Sequence, residues 1–243
     1  HMGLDTELID PQEIRRRSPI TNTDGVLGAL WDPLDGHLDP ASTTQAYAKA
    51  ARLQGAEIYL HTMVTGLTPT ADGGWTVATD KGDIVAEHVV NAGGLWAREV
   101  NAMAGVYLPL HPMEHQYLVT DDIPEIYTRD AELPHTLDPG GESYLRQEGR
   151  GLVIGFYEHA CEPWAVDGTP WHFGLELLAD KLDRIGDSLS HAFHRFPVLE
   201  RAGIKRVING PFTFAPDGNP LVGPVPRLRN YWSACAVMAG FSQ

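Results

Sequence analysis

The spacing of apolar residues predicts several helices in this chain. Two of them open with an Asp–Pro pair, at Asp10 and at Asp39, where aspartate suits the N-cap and proline suits the first helical position. The longest helical pattern covers residues 175–196, in which large apolar residues recur at intervals of mostly three or four. We therefore expect two capped helices in the first quarter of the chain and one long helix in the second half.

Alternating or β-branched runs predict strands between these helices. Residues 74–79 and 84–86 flank Lys81-Gly82-Asp83 and predict a hairpin. The run from residue 88 to 92 ends at Gly93-Gly94 and a helical pattern follows, which is the order of an α/β nucleotide-binding layer. Further strands are predicted over residues 115–120, 143–147, 152–157, 203–208 and 231–237, with a turn-dense loop over residues 210–224.

Composition and charge narrow the class of protein. The 243 residues are 43% hydrophobic and 21% charged, which is typical of a soluble folded protein. Acidic residues outnumber basic ones by 32 to 18, and the net charge of −14 repels nucleic acid phosphates. The two cysteines exclude a disulfide scaffold, and no apolar stretch is long enough to span a bilayer. We therefore expect neither nucleic acid nor a membrane as a partner.

The two ends of the chain suggest a piece of a longer protein. Residues 1–4 include His1-Met2-Gly3, which resembles the remnant of a cleaved tag. The last residues, Met238 to Gln243, follow an apolar run without a polar tail. We therefore expect an internal fragment.

The glycine pair at Gly93-Gly94 is the first candidate for chemistry. Two glycines directly after a buried strand let the backbone approach a ligand closely, and the next helix offers free N–H groups at its start. Glycines also occur in such turns only because the backbone conformation requires them. The residues alone leave both interpretations open, a ligand contact and a purely conformational role. The chain has no G-x-G-x-x-G sequence, which an independent dinucleotide-binding domain would require.

Residues 111–115 satisfy the H-x-x-E-H pattern of one class of zinc hydrolase, in which a helix displays both histidines to the metal. Pro112 lies inside the supposed helix, and the residues that follow read as a strand. A helical zinc site is therefore only a distant alternative, and no metal site is predicted.

Tyr144 and Arg146 are predicted to share one face of a strand, with Leu145 on the other face. A phenol beside a guanidinium suits capture of a small carboxylate. The spacing alone favours the simpler interpretation, a solvated strand face.

Taken together, seven stretches in the same order resemble the FAD-dependent amine oxidoreductases of the D-amino-acid oxidase superfamily, in particular its dimethylglycine and sarcosine dehydrogenases. The stretches are Asp35-Gly36-His37-Leu38-Asp39-Pro40, Val90-Asn91-Ala92-Gly93-Gly94-Leu95-Trp96-Ala97, Pro112-Met113-Glu114-His115-Gln116-Tyr117, Ser143-Tyr144-Leu145-Arg146-Gln147-Glu148, Gly155-Phe156-Tyr157-Glu158, Pro216-Asp217-Gly218-Asn219-Pro220-Leu221-Val222-Gly223 and Met238-Ala239-Gly240-Phe241-Ser242-Gln243.

The resemblance implies an α/β (α+β) fold in which a partial, Rossmann-like FAD-binding layer joins a mixed, mainly antiparallel substrate-domain sheet with flanking helices. Residues 5–106 would form the partial FAD-binding layer with a hairpin insertion. Residues 107–212 would form the substrate-binding domain, and residues 213–243 would return, truncated, to the FAD-binding layer. The family's opening strand with its glycine fingerprint has no counterpart in these 243 residues.

The resemblance also implies roles for individual residues. His115 and Tyr144 are the implied catalytic residues, lining one pocket and orienting the neutral amine. Tyr117 and Arg146 are the implied substrate-binding residues, with Arg146 a candidate for the substrate carboxylate. The implied FAD-binding residues are Gly93, Gly94, Trp96, Gly218 and Pro220.

The implied function is oxidation of an N-methylated amino acid, dimethylglycine or sarcosine, by hydride transfer to FAD, giving an iminium and then formaldehyde. Tetrahydrofolate would bind a C-terminal region outside these residues, and an electron-transfer flavoprotein would be a partner. The implied location is the cytoplasm, or the mitochondrial matrix in a eukaryote. The isolated 243 residues are expected to lack FAD and activity. The alternatives are a related amine or amino-acid oxidase that uses O₂ and a non-catalytic binding module.

Overall fold

A computed structural model describes Gly3 and residues 5–237, and within that range the chain forms short helices and many strands. The helices are α1 (Pro11–Arg17), α2 (Pro40–Leu53), α3 (Ala97–Met103), α4 (Pro124–Tyr127) and α5 (Gly186–Arg195), with 3₁₀ turns at Gly94–Trp96, Leu182–Ile185 and Pro197–Arg201. The strands are β1 (Glu7–Ile9), β2 (Ala29–Trp31), β3 (Val64–Pro69), β4 (Trp75–Thr79), β5 (Ile84–Ala86), β6 (Val89–Asn91), β7 (His111–Thr120), β8 (Thr136–Asp138), β9 (Ser143–Glu148), β10 (Gly151–Phe156), β11 (Ile204–Phe214), β12 (Leu221–Pro224) and β13 (Tyr231–Cys235). Apart from Gly3, the tag prediction for residues 1–4 lies outside the described residues, as does the motif from Met238 to Gln243.

The chain divides into two compact units. The first unit comprises residues 1–44, 116–160 and 177–209, and the second comprises residues 45–115, 161–176 and 210–243. These units are defined by packing alone and carry no functional label. The functional boundaries at residues 106, 107, 212 and 213 therefore stay a prediction.

The first unit contains β8, β9 and β10 with residues 116–120 of β7 and 204–209 of β11, in a sheet of strand order β11-β7-β10-β9-β8. Its pairs β7–β10, β10–β9 and β9–β8 are antiparallel, as predicted for the substrate-domain sheet. One face of this sheet packs into an apolar core, to which β9 and β10 contribute Leu145 and Phe156. The core continues through Ile185 and Phe196 at the two ends of α5. The opposite face of the sheet is therefore left for the alternating polar and aromatic residues.

The second unit contains two small sheets. Strands β12, β13 and β6 form one of them, in which β13 and β6 run parallel, and β3, β4 and β5 form an antiparallel meander. Fully buried Trp75 and Tyr231 meet between these sheets, with ring centroids 5.2 Å apart. The predicted hairpin is confirmed as β4–β5, and the predicted strand before Gly93-Gly94 is confirmed as β6. The whole is a mixed α/β fold with mainly antiparallel pairing.

Both predicted N-caps are confirmed. Asp10 Oδ1 accepts a hydrogen bond from the Glu13 amide at 2.8 Å, and Asp39 Oδ1 accepts one from the Ser42 amide at 2.7 Å. These bonds satisfy amides that the first turn of a helix leaves without a backbone partner. Local chemistry therefore fixes where α1 and α2 begin.

The predicted helix over residues 175–196 is wrong in its first third. Helical structure begins only at Leu182, and residues 176–181 are in neither a helix nor a strand. Leu178 donates its amide to the Asn209 carbonyl at 2.9 Å, and Asn209 Nδ2 donates to the Ala179 carbonyl at 2.7 Å. Gln116 then bonds both the amide and the carbonyl of Lys181, at 3.2 and 2.7 Å. Distant residues thus take up the backbone groups that a helix would have used.

Two further predictions are settled by the strands. The turn-dense loop over residues 210–224 is wrong at both ends, because β11 runs on to Phe214 and β12 pairs antiparallel with β13. Residues 111–115 lie in β7, so the helical display of His111 and His115 to a metal is wrong for this segment.

None of the helices in the described part of the chain has the length and apolar character needed to cross a bilayer.

Candidate functional site

Strand β9 presents Tyr144 and Arg146 on one face of the first unit's sheet. The alternate residues Ser143 and Leu145 are completely buried on the core side. This period of two is the reason that a phenol and a guanidinium are brought to the same face. The predicted alternation along this strand is confirmed.

Tyr144 lies at the centre of a cluster of aromatic side chains. The strand register places it opposite Gly155 of β10, and Gly155 is in turn opposite Tyr117 of β7. The Tyr144 ring meets Tyr157 edge-on, with centroids 5.8 Å apart, and His135 edge-on at 6.3 Å. Tyr117, Tyr144, Tyr157 and His135, with Gly155 beneath them, are called the phenol cluster below.

The phenol cluster holds Tyr144 in its neutral form. Burial, followed by the neighbouring phenols of Tyr157 and Tyr117, raises the pKa of Tyr144 to about 12, and Arg146 opposes this rise only weakly. The hydroxyl therefore stays protonated across the physiological range and acts as a hydrogen-bond donor and acceptor rather than as an anion.

Arg146 already has partners on its own strand. Its Nη1 donates to the Gln147 carbonyl at 3.1 Å and forms a short ion pair with Glu148. A substrate carboxylate at Arg146 would compete with Glu148. The role of Arg146 in carboxylate binding stays a prediction.

His115 is held within the second unit. Its Nδ1 lies 3.9 Å from the thiol sulfur of Cys161, and its ring meets Phe212 edge-on with centroids 5.0 Å apart. Phe212 stacks in turn on Phe214, at 4.7 Å between centroids. The prediction that His115 and Tyr144 line one pocket stays a prediction. His115 and Tyr117 are two residues apart in β7, so the strand alternation gives them the same side of that strand.

The Gly93-Gly94 turn follows β6 as predicted. Asn91 closes it, because its side chain accepts from the Gly93 amide and donates to the Ala97 carbonyl, both at 2.9 Å. A Cβ on Gly93 would lie 2.9 Å from Asn91 Oδ1 and 3.3 Å from the Ala97 backbone. Packing within the turn therefore explains Gly93.

Gly94 differs from Gly93. Its φ of 53° is in the left-handed region, and a Cβ there would have no heavy atom within 4 Å. An exposed stretch of backbone without a side chain can be approached closely by a phosphate or a ribityl chain, so Gly94 fits the predicted contact with FAD. A 3₁₀ turn begins at Gly94 and precedes α3, so no α-helix starts directly at the glycines.

The remaining residues predicted to bind FAD lie in ordered turns of the second unit. Trp96 donates its indole N–H to the Pro170 carbonyl at 3.0 Å, which fixes the ring. Gly218, with a φ of 72°, closes a turn by donating its amide to the Ala215 carbonyl at 3.0 Å. Pro220 immediately precedes β12. The contacts of Trp96, Gly218 and Pro220 with FAD stay predictions.

Three residues near these sites were not predicted as part of them from sequence. Gly155 reaches the phenol cluster through strand register, and His135 reaches it from the position just before β8; single-sequence patterns report neither placement. Cys161 reaches His115 from a loop 46 residues away in sequence. Gly155 carried one signal, because it lies in the motif Gly155-Phe156-Tyr157-Glu158.

Among the described residues, no group of three or more His, Cys, Asp or Glu side chains could hold a metal ion.

The sequence matches a known protein family and several known proteins. The family model "DAO: FAD dependent oxidoreductase" matches residues 1–243. The chain is 45% identical to mitochondrial dimethylglycine dehydrogenase of Mus musculus over 232 residues, covering 93% of this chain and 27% of that protein. It is 35% identical to mitochondrial sarcosine dehydrogenase of Mus musculus over 238 residues, covering 96% and 25%. The chain thus spans about a quarter of the length of these relatives.

A solved structure of a related protein has the same fold. L-proline dehydrogenase from P. horikoshii superposes with a TM-score of 0.79 at 28% identity, covering 96% of this chain and 59% of that one. The predicted resemblance is confirmed. The chain belongs to the FAD-dependent oxidoreductases of the DAO family.

Proposed function

We propose that this chain forms the substrate-binding part of an FAD-dependent enzyme that oxidises an N-methylated amino acid, dimethylglycine or sarcosine. One observation carries the proposal: a neutral phenol, Tyr144, lies at the centre of an aromatic sheet face with Arg146 two residues away. The identity to dimethylglycine and sarcosine dehydrogenases supports the substrate class.

The chemistry needs little acid or base from the protein. FAD, when bound, supplies an acceptor for the hydride that leaves the N-methyl carbon. Loss of that hydride turns the neutral amine into an iminium, and addition of water releases formaldehyde, the demethylated amine and a proton. The amine must be neutral, because its lone pair becomes the second bond of the iminium. In this proposal the protein's task is to orient the amine rather than to break the C–H bond.

The chain's own residues have stated tasks in this scheme. Tyr144 keeps its proton and hydrogen-bonds the substrate, while Tyr117 provides a second phenol on β7, which is separated from β9 by β10. His115 orients the amine from β7, and Gly94 is the backbone position open to FAD. Arg146 is the proposed carboxylate partner once Glu148 is displaced.

The proposal extends to the electron acceptor and the location. We propose an electron-transfer flavoprotein as the acceptor rather than O₂. A location in the mitochondrial matrix is supported by the mitochondrial relatives, and the cytoplasm is the bacterial equivalent. Reoxidation of the reduced enzyme with each acceptor in turn distinguishes the dehydrogenase from the oxidase.

The test uses the parent protein that carries this sequence, loaded with FAD and mixed rapidly with dimethylglycine or sarcosine. Tyr144→Phe removes one substrate hydrogen bond and should slow flavin reduction about tenfold, which corresponds to about 1.4 kcal/mol. His115→Ala should slow it about 100-fold, because a group that orients the reacting amine is lost. The bleaching of the visible flavin band measures both rates.

Matched controls separate a site effect from a general one. Tyr107 is 76% exposed, so Tyr107→Phe should leave the rate unchanged. His88, whose side chain is half exposed, serves in the same way as His88→Ala. A parent protein without a flavin band would overturn the proposal. Wild-type rates in both Tyr144→Phe and His115→Ala would show that the pocket is misassigned.

A further inference from the structure

Gly155 lies at the middle of the phenol cluster, and nothing in the proposed function uses it. It is buried in β10, between its register partners Tyr144 on β9 and Tyr117 on β7. Direct cross-strand partners point to the same face of a sheet. A side chain on Gly155 would therefore stand between the two tyrosines.

That space is already occupied by the Tyr144 ring. A Cβ on Gly155 would lie 2.1 Å from Cζ, 2.2 Å from the hydroxyl oxygen and 2.4 Å from Cε1 of Tyr144. These atoms form the far end of the phenol. The Tyr144 side chain therefore extends across β10, and its hydroxyl sits above that strand rather than above β9, from which it comes.

Lying across β10 moves the hydroxyl toward β7. Neighbouring strands are about 4.8 Å apart, so a hydroxyl above β10 is roughly one strand spacing from β7, the strand that carries Tyr117. An upright tyrosine on β9 would place its hydroxyl in solvent above its own strand. Tyr157 and His135 meet the same ring edge-on, so the ring is held by its neighbours in this orientation.

We propose that Gly155 is a positioning residue: the absence of its side chain lets the Tyr144 phenol lie across β10 and present its hydroxyl toward the face of β7 that carries Tyr117. Any larger residue at position 155 forces the ring away from the sheet. The consequence for substrate orientation rests on the proposed function, whereas the placement of the ring does not.

The first test is a tyrosine titration of the parent protein by ultraviolet absorbance, in which the difference between wild type and Tyr144→Phe isolates the step of Tyr144. Gly155→Ala should move that step from about pH 12 toward the ordinary value of 10, because the displaced phenol becomes solvated. An unmoved step in folded Gly155→Ala protein would overturn the proposal. The control is Gly66→Ala in β3, where a Cβ meets only Ala78 Cβ at an ordinary 3.7 Å and should leave the step in place.

A double-mutant cycle gives the second test and covers a variant that fails to fold. If Gly155 acts through the ring, Gly155→Ala should lower the denaturation midpoint in wild type and leave it unchanged in the Tyr144→Ala background. Folding of the double variant where Gly155→Ala alone does not fold would support the proposal equally. The same loss in both backgrounds, or failure to fold in both, would show that the glycine serves the β10 backbone and would overturn it.

The same cycle in flavin reduction separates the two proposals. Gly155→Ala should slow reduction about as much as Tyr144→Ala does, with no further loss in the double variant. If the titration and midpoint results hold while neither variant changes flavin reduction, the positioning of Tyr144 stands and its proposed role in orienting the substrate fails.

Discussion

Arg146 and Glu148 pair two residues apart on β9, at the edge of the sheet face that carries Tyr144. This ion pair is partly exposed and therefore contributes little to stability. It matters more for binding, because Glu148 occupies a guanidinium nitrogen that a substrate carboxylate would otherwise use. The pair is a direct means of testing which residue binds the carboxylate.

At the scale of single residues, we predict that substitutions of Arg146 and of Glu148 change the KM in opposite directions. Arg146→Met should raise the KM for dimethylglycine about 10- to 100-fold, since a charge-assisted hydrogen bond is worth about 1.5–3 kcal/mol. Glu148→Gln should lower the KM, because the competitor loses its charge. Steady-state kinetics of the parent protein measures both values. Glu87→Gln, at a strongly exposed carboxylate, is the control, and an unchanged KM in both test variants would exclude Arg146 as the carboxylate site.

Tyr144 also predicts a dependence of stability on pH. Its pKa is raised to about 12 in the fold, against 10 in an unfolded chain, so the unfolded state loses the phenolic proton first. The contribution of Tyr144 to stability is therefore complete below pH 10 and is lost as the pH rises toward 12. Denaturant midpoints measured from pH 9 to 11 should fall more steeply for wild type than for Tyr144→Phe. Parallel curves would contradict the raised pKa.

At the scale of elements, the segment before α5 shows where local patterns stop being sufficient. Residues 176–181 have helical spacing, yet they are not helical, and Asn209 and Gln116 donate hydrogen bonds to their carbonyls. Glu158 continues the same arrangement, because it accepts from the Gln116 amide at 3.1 Å and from Arg184 at 2.8 Å. The approach to α5 is thus fixed by residues of β7 and β11 and by Glu158, which follows β10.

The ion pair of Glu158 and Arg184 gives the prediction at this scale. Only 2% and 10% of the two side chains are exposed, so Arg184→Met removes a buried cation from a buried carboxylate and should cost about 3–5 kcal/mol of unfolding free energy. Equilibrium denaturation measures the loss. The control is the pair of Asp122 and Arg150, which is 51% and 60% exposed, so Arg150→Met should cost under about 1 kcal/mol in ion-pair energy. Equal losses in the two variants would contradict the structural role of the buried pair.

The distance along the sequence between contacting residues explains how much could be predicted from sequence. The caps at Asp10 and Asp39, the β4–β5 hairpin and the alternation of β9 depend on neighbours within a few residues, and all were predicted. The placement of Gly155 beneath Tyr144 depends on the register of separate strands, and it was not. The candidate site residues were predicted from the resemblance of motifs to a known family. Hydrophobic periodicity could not supply them, because it predicts which face of a strand or helix a residue occupies and not what that residue does.

At the scale of the whole molecule, the net charge of −14 governs what the surface attracts. An acidic surface repels nucleic acid and favours association with a basic partner at low ionic strength. The electron-transfer flavoprotein that we propose as acceptor would need a basic docking face to use this charge. The rate of reoxidation by such a partner should therefore fall as salt is added.

The absence of a G-x-G-x-x-G sequence predicts the behaviour of the 243-residue polypeptide toward FAD. That turn is the usual binding site for the pyrophosphate, and these 243 residues do not contain it. After incubation with FAD and gel filtration, the polypeptide should emerge colourless. The parent protein, treated in the same way, is the positive control. A yellow polypeptide with bound FAD in a one-to-one ratio would contradict this prediction.

The different burial of the two thiols makes the molecule well suited to site-specific labelling. Cys235 is buried at the end of β13, whereas Cys161 is partly accessible and has its sulfur 3.9 Å from the imidazole of His115. A small maleimide fluorophore applied to the native 243-residue polypeptide should therefore couple at Cys161 first. Without any engineered cysteine, the emission of that dye would report on ligands arriving beside His115.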